Sequence, residues 1–461
     1  SCLSAESVKW PPLVQGGVGS GLVRMTLPMI LGISSSLLAG LVETFYLGQL
    51  GSTELAALGF TFPVTSALMS LTLGVSIGLS SVLAREVGAG EDSKVKRIAT
   101  DGLSFAVILM IVVSIVGMLT ITPIFKALGA DNNTLPLLTE YMQLWYLSLL
   151  FMAIPSVGAN ALRATGDART SGIIMIMGSI LQIMLSPMLI FGWFGLPPLG
   201  MAGAAAGNLL SRILMFMVTF YILVFREKLI IFQAVALSSI LESWKKILGV
   251  SIPATATNLI GPISSAVIIS MLASYSQETV AGFGIASRIE GLFVIPLFAL
   301  SASIGPFVGQ NWGAGEFKRA NHAMLIAFKS CMLWGLLVAA ILWVSREPII
   351  HLFNDQQDVI DAASIYLLII PVSYGAWGVL MMASAIFNAL GKPYKSTAMS
   401  VMRMFVIYIP LALLGNRLFG LPGIFIATCL SNLLAGLLGA IWNRYSFGGL
   451  NHSSKAPATN S

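Results

Sequence analysis

Few side chains in this sequence are of the type and spacing that do chemistry. The three histidines, His322, His351 and His452, lie far apart, and Cys2, Cys331 and Cys429 form no CxxC pair or Cys/His cluster. Neither a metal centre nor a disulfide framework is expected. No acid pair or Ser/His arrangement stands at useful spacing, so an enzyme is not expected. What stands out is Glu43, in the run RMTLPMILGISSSLLAGLVETFYLGQLGSTELAALGF that begins at Arg24. No other residue from Leu27 to Leu50 carries a charge. A charged side chain in the middle of a membrane costs roughly 2.5–3.5 kcal/mol on insertion scales, so such a carboxylate needs a use or a partner. The chemistry open to it is to take up and release a proton, or to hold a cation. Arg288 and Glu290 interrupt a second apolar run. Spaced i and i+2, they do not face one another on a helix. Each therefore needs its own partner, and Glu290 is expected either to line a central cleft or to pair with another helix through Arg403.

The elements that must position these groups are membrane helices. The chain has 461 residues, 56% hydrophobic and 10% charged, with a mean hydropathy of +0.88. Soluble domains average about 25% charged residues, and about 20 apolar residues suffice to cross the hydrocarbon core. Apolar runs bounded by charges or turn signals give spans at 24–48, 54–83, 98–122, 137–161, 170–194, 200–225, 247–273, 280–308, 320–344, 362–388, 397–415 and 421–443. An even number of spans puts both termini on one side. With the termini cytoplasmic, inner segments hold 18 of the 25 basic residues and outer segments 3, the remaining 4 lying within spans. That is the positive-inside asymmetry. The net charge of +6 thus reports orientation and contact with anionic lipid, and no nucleic-acid partner is expected.

A shift of 225 residues superimposes Pro28 on Pro253, Gly59 on Gly284, Gly88–Gly90 on Gly313–Gly315, Tyr141 on Tyr366 and Gly166 on Gly391. After a deletion of five residues, Gly200 and Ser211 match Gly420 and Ser431. Each copy holds an even number of spans, so the copies run the same way through the bilayer. The expected fold is all-α: twelve transmembrane helices in two parallel-repeat six-helix bundles. The expected domains are a tail at 1–21, an N-lobe at 22–225, a cytoplasmic linker at 226–246, a C-lobe at 247–445 and a tail at 446–461. Parallel repeats of this kind form transporters that bind substrate between two bundles. Polar groups that break the symmetry are where coupling and selection are sought. Glu43 falls opposite Ile268, and Arg288 opposite Pro63. Arg212 is expected to pair with lipid or with an acid of its own lobe such as Asp101. Asn258, Tyr366 and Tyr374 are candidate hydrogen-bonding groups for substrate.

Residues 22–445 resemble the MATE (multidrug and toxic compound extrusion) family of cation-coupled antiporters. The resemblance lies in LPMILGISSSLLAGLVETFYLGQLGSTELAALGF, LAREVGAGEDSKVKR and ANALRATGDAR, with the echoes VGQNWGAGEFKRA and FNALGKP. It implies two six-helix lobes around a cleft and export of amphipathic organic cations against a proton or sodium gradient. It also implies a multi-pass protein of the bacterial inner membrane, here taken as a monomer without cofactor. Glu43 matches the family's first-helix acid, usually Asp. The fifth-helix Asn and Asp of the DinF-like pattern read Gln182 and Ser186, and its sixth-helix Thr reads Asn208. Two fourth-helix Asn positions read Pro155 and Ser156. The seventh- and tenth-helix acids of the NorM-like pattern have no counterpart at 247–275 or 362–390. The chain therefore stands nearer the DinF-like branch.

The implied coupling set is Glu43, Gln182, Ser186 and Asn208, and the substrate set is Ser156, Asn258, Arg288, Glu290, Tyr366 and Tyr374. One formal charge is little for sodium, whereas a proton needs one acid whose affinity the protein can move. Proton coupling is thus preferred over sodium. The alternative is a lipid-linked oligosaccharide flippase of the same superfamily, which would use Arg288, Arg403, Arg212 and Lys329 on pyrophosphate.

Overall fold

The computed structural model describes residues 13–233 and 235–453, with the side chains of Leu55 and 448–453 outside the description. Among the described residues it contains helices and turns and no strand. Eleven helices among the described residues are long and apolar enough to cross a membrane, or twelve when one bent pair counts as a single span. The chain is a multi-pass membrane protein of the expected all-α class.

The first six spans are α1 (Val18–Leu50), α2 (Ser52–Ala89), α3 (Asp92–Ala127), α4 (Thr134–Ala164), α5 (Ala168–Phe191) and α6 (Met201–Tyr221). A π-helical turn, Ile222–Arg226, ends α6. The second six begin with α7 (Leu237–Ala273). Next come α8 (Gln277–Phe293) and α9 (Ile295–Gly313), a pair bent by 49° that together is long and apolar enough for one span. The sequence suggests one continuous helix at 280–308. The break falls at Val294, just before Pro296, whose ring cannot sit inside an α-helix without displacing a carbonyl. α10 (Phe317–His351) follows. A 3-10 turn (Ile370–Ser373) joins α11 (Gln357–Ile369) to α12 (Tyr374–Ala389), and a π-helical segment (Met402–Tyr408) joins α13 (Pro393–Val401) to α14 (Ile409–Phe419). The last helix, α15 (Leu421–Ser453), runs past 446, where a polar tail is expected. The described part of that tail is helical.

The residues pack into two compact units, 27–255 and 13–26 with 256–453. Both boundaries fall inside helices. The start of α1 belongs with the second unit, although the rest of α1 lies in the first. The start of α7 packs in the first unit. There Ile247 is fully buried, Ser251 and Thr255 fill the hollows at Gly78 and Gly74, and the Trp244 indole N–H donates to the Asp101 carbonyl at 2.8 Å. In the second unit, Arg319 donates to the carbonyls of Leu13 and Gly16, and Gly21 lies against the Phe307 ring. α7 starts at Leu237, ahead of the expected span at 247–273, because ESWKK, at 242–246, is too polar for a hydropathy window yet continues the helix. Within the expected linker, Leu229 is fully buried while Phe232 is 77% exposed.

In the first unit α4 packs against α2, α3 and α6, and α5 packs against α6. The α5–α6 approach depends on small residues. A Cβ at Gly207 would lie 2.8 Å from Ser186 Cα, and one at Gly203 would lie 2.5 Å from the Leu189 carbonyl oxygen. In the second unit α12 packs against α9, α10 and α15, while α8 packs against α11.

Candidate functional site

Glu43 sits on α1 with 9% of its surface exposed. Three other helices of its unit each turn one donor toward it. Gln182 Nε2, on α5, donates to Glu43 Oε2 at 2.6 Å. Asn208 Nδ2, on α6, lies 3.3 and 3.4 Å from the two carboxylate oxygens. Tyr141 Oη, on α4, reaches Oε1 at 3.4 Å. The close α5–α6 approach over Gly203 and Gly207 is what lets Gln182 and Asn208 serve one carboxylate. A charge taken out of water must be met by hydrogen bonds, and the four helices are assembled to do so.

Arg212 lies one turn beyond Asn208 on α6. Its Nη1 donates to Ser148 Oγ at 2.6 Å, and its guanidinium stands 5.7 Å from the centre of the Trp145 ring. The expected partner Asp101 is instead paired with Arg97 at 2.8 Å, one helical turn away on α3, and its carbonyl receives Trp244. Arg212 forms no ion pair among the described residues. It still lies close enough to exert an electrostatic influence on Glu43.

Of the expected coupling set, Glu43, Gln182 and Asn208 come together. Ser186 is buried against Gly207, but its hydroxyl has no hydrogen-bond partner and does not reach Glu43. Tyr141 is a residue that sequence reasoning did not single out for the site. Its match to Tyr366 in the repeat was the available signal.

The expected substrate set is dispersed. Ser156, half-buried on α4, accepts at its carbonyl from Asn160 Nδ2 at 2.9 Å, and Asn258 is half-buried on α7. Arg288 is exposed and makes no hydrogen bond or ion pair among the described residues. Glu290, Tyr366 and Tyr374 do come together in the second unit. Tyr366 Oη donates to Glu290 Oε2 at 2.8 Å. The Tyr374 hydroxyl is buried beside the same carboxyl without completing a hydrogen bond to it. The expected link from Glu290 to Arg403 is not made. Arg403 Nη1 donates to Asn432 Oδ1 at 2.9 Å, and Asn432 Nδ2 donates to Ser373 Oγ at 3.2 Å. Among the described residues no group of three or more His, Cys, Asp and Glu side chains is placed to hold a metal.

The repeat organises these contacts. Tyr141 and Tyr366 occupy equivalent positions, the first donating to buried Glu43 and the second to half-buried Glu290. Ser148 and Ser373 are likewise equivalent, the first receiving Arg212 and the second Asn432.

Comparison with known proteins agrees. A family model described as MatE matches the chain twice, at residues 28–188 and 253–414. The matches start 225 residues apart, the register found in the sequence. The chain is similar to a protein of Shewanella oneidensis named FAD transporter, with 35% identity covering 92% of this chain and 94% of that one. It is 25% identical to the probable multidrug resistance protein YoeA of Bacillus subtilis, over 84% of each chain. The crystal structure of the Vibrio cholerae MATE transporter VcmN in the bent form superimposes with a TM-score of 0.88 at 27% identity. That likeness covers 94% of this chain and 98% of VcmN. With its repeat matched twice by the family model and its whole membrane part shared with these relatives, the chain belongs to the MATE family of transporters.

Proposed function

We propose that this chain is a proton-coupled antiporter of the bacterial inner membrane, with both termini cytoplasmic, that exports small amphipathic organic molecules by alternating access. Glu43 is its coupling carboxylate. The observation that carries the reading is the shell around that group: one N–H or O–H donor from each of α4, α5 and α6 converges on a single buried acid. Donors of this kind suit an anion that is periodically neutralised by a proton. A sodium ion needs several oxygens aimed at one point, and only Glu43 supplies a formal charge. Hydrogen bonds to an ionised acceptor are roughly twice as strong as neutral ones. Taking up a proton at Glu43 therefore loosens α1 from α4, α5 and α6, and releasing it tightens them again. That difference between states is what an ion must supply to drive a conformational change.

Organic cations are the first reading of the substrate, in line with what the family resemblance implies, and YoeA is named a probable multidrug resistance protein. A flavin dinucleotide is the second, favoured by the 35% identity to the FAD transporter. Arg163, Arg212 and Arg403 also point that way, since none has an ion-pair partner among the described residues. The test is efflux of ethidium and of FAD from proteoliposomes under an imposed proton gradient and then a sodium gradient, for wild type and Glu43→Gln. Proton-driven efflux that is abolished in Glu43→Gln is expected. Efflux driven by protons at the wild-type rate in that variant refutes the assignment.

A further inference from the structure

No residue between Arg169 and Arg212 carries a charge, so α5, α6 and the turn that joins them form one charge-free stretch. The other two turns at this end of the first unit, α1–α2 and α3–α4, have Glu54, or Lys126 and Asp131, at or beside them. Turns between helices ordinarily meet water with polar side chains. Here every residue from Trp193 to Leu199 is exposed, Phe194 to 86%. The turn reads GWFGLPPL. Its one side-chain donor, the Trp193 indole N–H, has no hydrogen-bond partner among the described residues. The backbone is nevertheless well held. The Leu199 N–H donates to the Leu189 carbonyl at 3.0 Å and the Gly200 N–H to that of Ile190 at 3.2 Å, folding the chain back on the end of α5. Phe194 lies at φ 59° and ψ 29°, the left-handed region that bulky side chains seldom adopt. Such conformations persist where the surroundings impose them, and they collect at functional positions.

The repeat marks this turn as an addition. Gly200, at φ 57° and ψ −132°, and Gly420, at φ 64° and ψ −139°, share one conformation just before α6 and α15. Gly420 directly follows α14, whereas residues 192–199 separate Gly200 from α5. The five residues by which the register drops from 225 to 220 fall here. Length then places the turn in the bilayer. α5 starts beside Asp167 and Arg169, charged groups that stay with the headgroups, and has 24 residues. At 1.5 Å each these extend about 36 Å, against a hydrocarbon core of about 30 Å in a bilayer of about 40–45 Å. The turn thus lies where headgroups meet acyl chains. An exposed stripe on α5, Ile173, Met177, Ile180 and Met184, recurs at helical spacing and leads to Phe191, on which the Trp193 ring stacks at 6.1 Å. Trp favours this depth, where its ring body is in apolar surroundings and its N–H can reach an acceptor. A protein partner would be met by a polar rim around an apolar centre, and this turn has none.

We propose that residues 192–199 are an interfacial anchor: a rigid apolar turn whose Trp193, Phe194, Leu196 and Leu199 side chains insert among lipids at the headgroup boundary, with the Trp193 N–H donating to lipid ester or phosphate oxygens. The anchor fixes the depth of the α5–α6 hairpin, which carries Gln182 and Asn208 to Glu43. That the leaflet is the non-cytoplasmic one rests on the orientation proposed above, but the insertion itself does not.

The test is electron paramagnetic resonance on the full chain in vesicles of phosphatidylethanolamine and phosphatidylglycerol, with a nitroxide on Phe194→Cys in a Cys2→Ser background. Cys331 and Cys429 are buried. Asn132→Cys, in the exposed α3–α4 turn, is the water reference, and Leu119→Cys, on the exposed face of α3, is the lipid reference. The ratio of oxygen to nickel-chelate collision rates at 194 should match that at 119 and exceed that at 132 several-fold. A ratio equal to that at 132 overturns the proposal. Dipolar broadening between labels, which would set a second copy of the chain on the turn, overturns it as well. Should the labelled variant fail to fold, Trp193→Phe serves instead. The emission it removes is expected to be a part quenched by bromines on the acyl chains, and quenching of that part by aqueous acrylamide alone refutes insertion. Neither measurement involves transport or the side on which the termini lie, so failure of the proton-coupled reading leaves the anchor standing.

Discussion

Gly207→Ala perturbs the site without removing any polar group. The new methyl carbon would lie 2.8 Å from Ser186 Cα and 2.9 Å from its backbone nitrogen, whereas ordinary contact begins at 3.4 Å. Backbone atoms cannot swing aside as a side-chain end can, so α6 must retreat from α5 by the difference, about 0.6 Å. Asn208 Nδ2 already stands at 3.3 and 3.4 Å from Glu43, beyond the usual 2.7–3.2 Å for an N–H···O bond. Retreat carries it to about 3.9–4.0 Å, where the bond is lost.

Alanine improves helix propensity by about 1 kcal/mol over glycine, but overpacking costs about 1–3 kcal/mol, so unfolding should shift modestly downward. A hydrogen bond to a charged group contributes about 1.5–3 kcal/mol, roughly a 10- to 150-fold effect on the equilibrium it biases. Proton-driven exchange in proteoliposomes should therefore fall by at least about 10-fold in Gly207→Ala. Adding Asn208→Ala should cause little further loss, because both changes sever one contact. Wild-type exchange in Gly207→Ala, or losses that simply multiply in the double variant, would refute the claim that α5–α6 proximity sets the carboxylate's shell.

Two further outcomes follow from contacts on the page. Ser148→Ala strips Arg212 of its acceptor inside the first unit. The cost should be about 1–3 kcal/mol, read as a lower unfolding temperature, with a smaller effect for Ser148→Thr, which keeps the hydroxyl. Asp131, in the loop before α4, accepts from the Thr134 hydroxyl at 2.7 Å and from the backbone N–H groups of Thr134 and Asn133 at 2.8 and 3.1 Å. The Thr134 hydrogen bonds hold its carboxyl below the ordinary value of 3.8. Because the folded value is the lower one, the stabilisation is complete above 3.8 and is lost as pH falls through the depressed value. Asp131→Ala should thus unfold earlier than wild type at neutral pH, and the difference should close on acidification below that range.

Much of this was legible in the sequence. Charge-free runs marked the spans, because the bilayer leaves a chain few ways to satisfy its backbone except a helix. The repeat register of 225 was readable from glycines and prolines alone, and Glu43 was conspicuous because nothing else charged surrounds it. The partners of buried groups were harder. Hydropathy says that α4 and α6 can cross the membrane but not how each is rotated, and rotation decides whether Arg212 meets Asp101 or Ser148. Tyr141 looked like one packing residue among many until four helices placed it over a carboxylate. The break at Val294 and the early start of α7 were missed for related reasons. One is a local backbone event, and the other is a polar helical stretch that an apolar window passes over.

The exchange of helix beginnings between the units means that neither coincides with one copy of the repeat. A fragment ending near residue 236 lacks Trp244, Ile247, Ser251 and Thr255, leaving Gly74, Gly78 and the Asp101 carbonyl uncovered. The complementary fragment lacks the 13–26 segment that Arg319 grips. The halves of this transporter, though built on one repeat, are not separable modules. Each is finished by helix-start residues that belong to the other copy of the repeat, so complete folding of the first unit must wait until the chain has grown past residue 255.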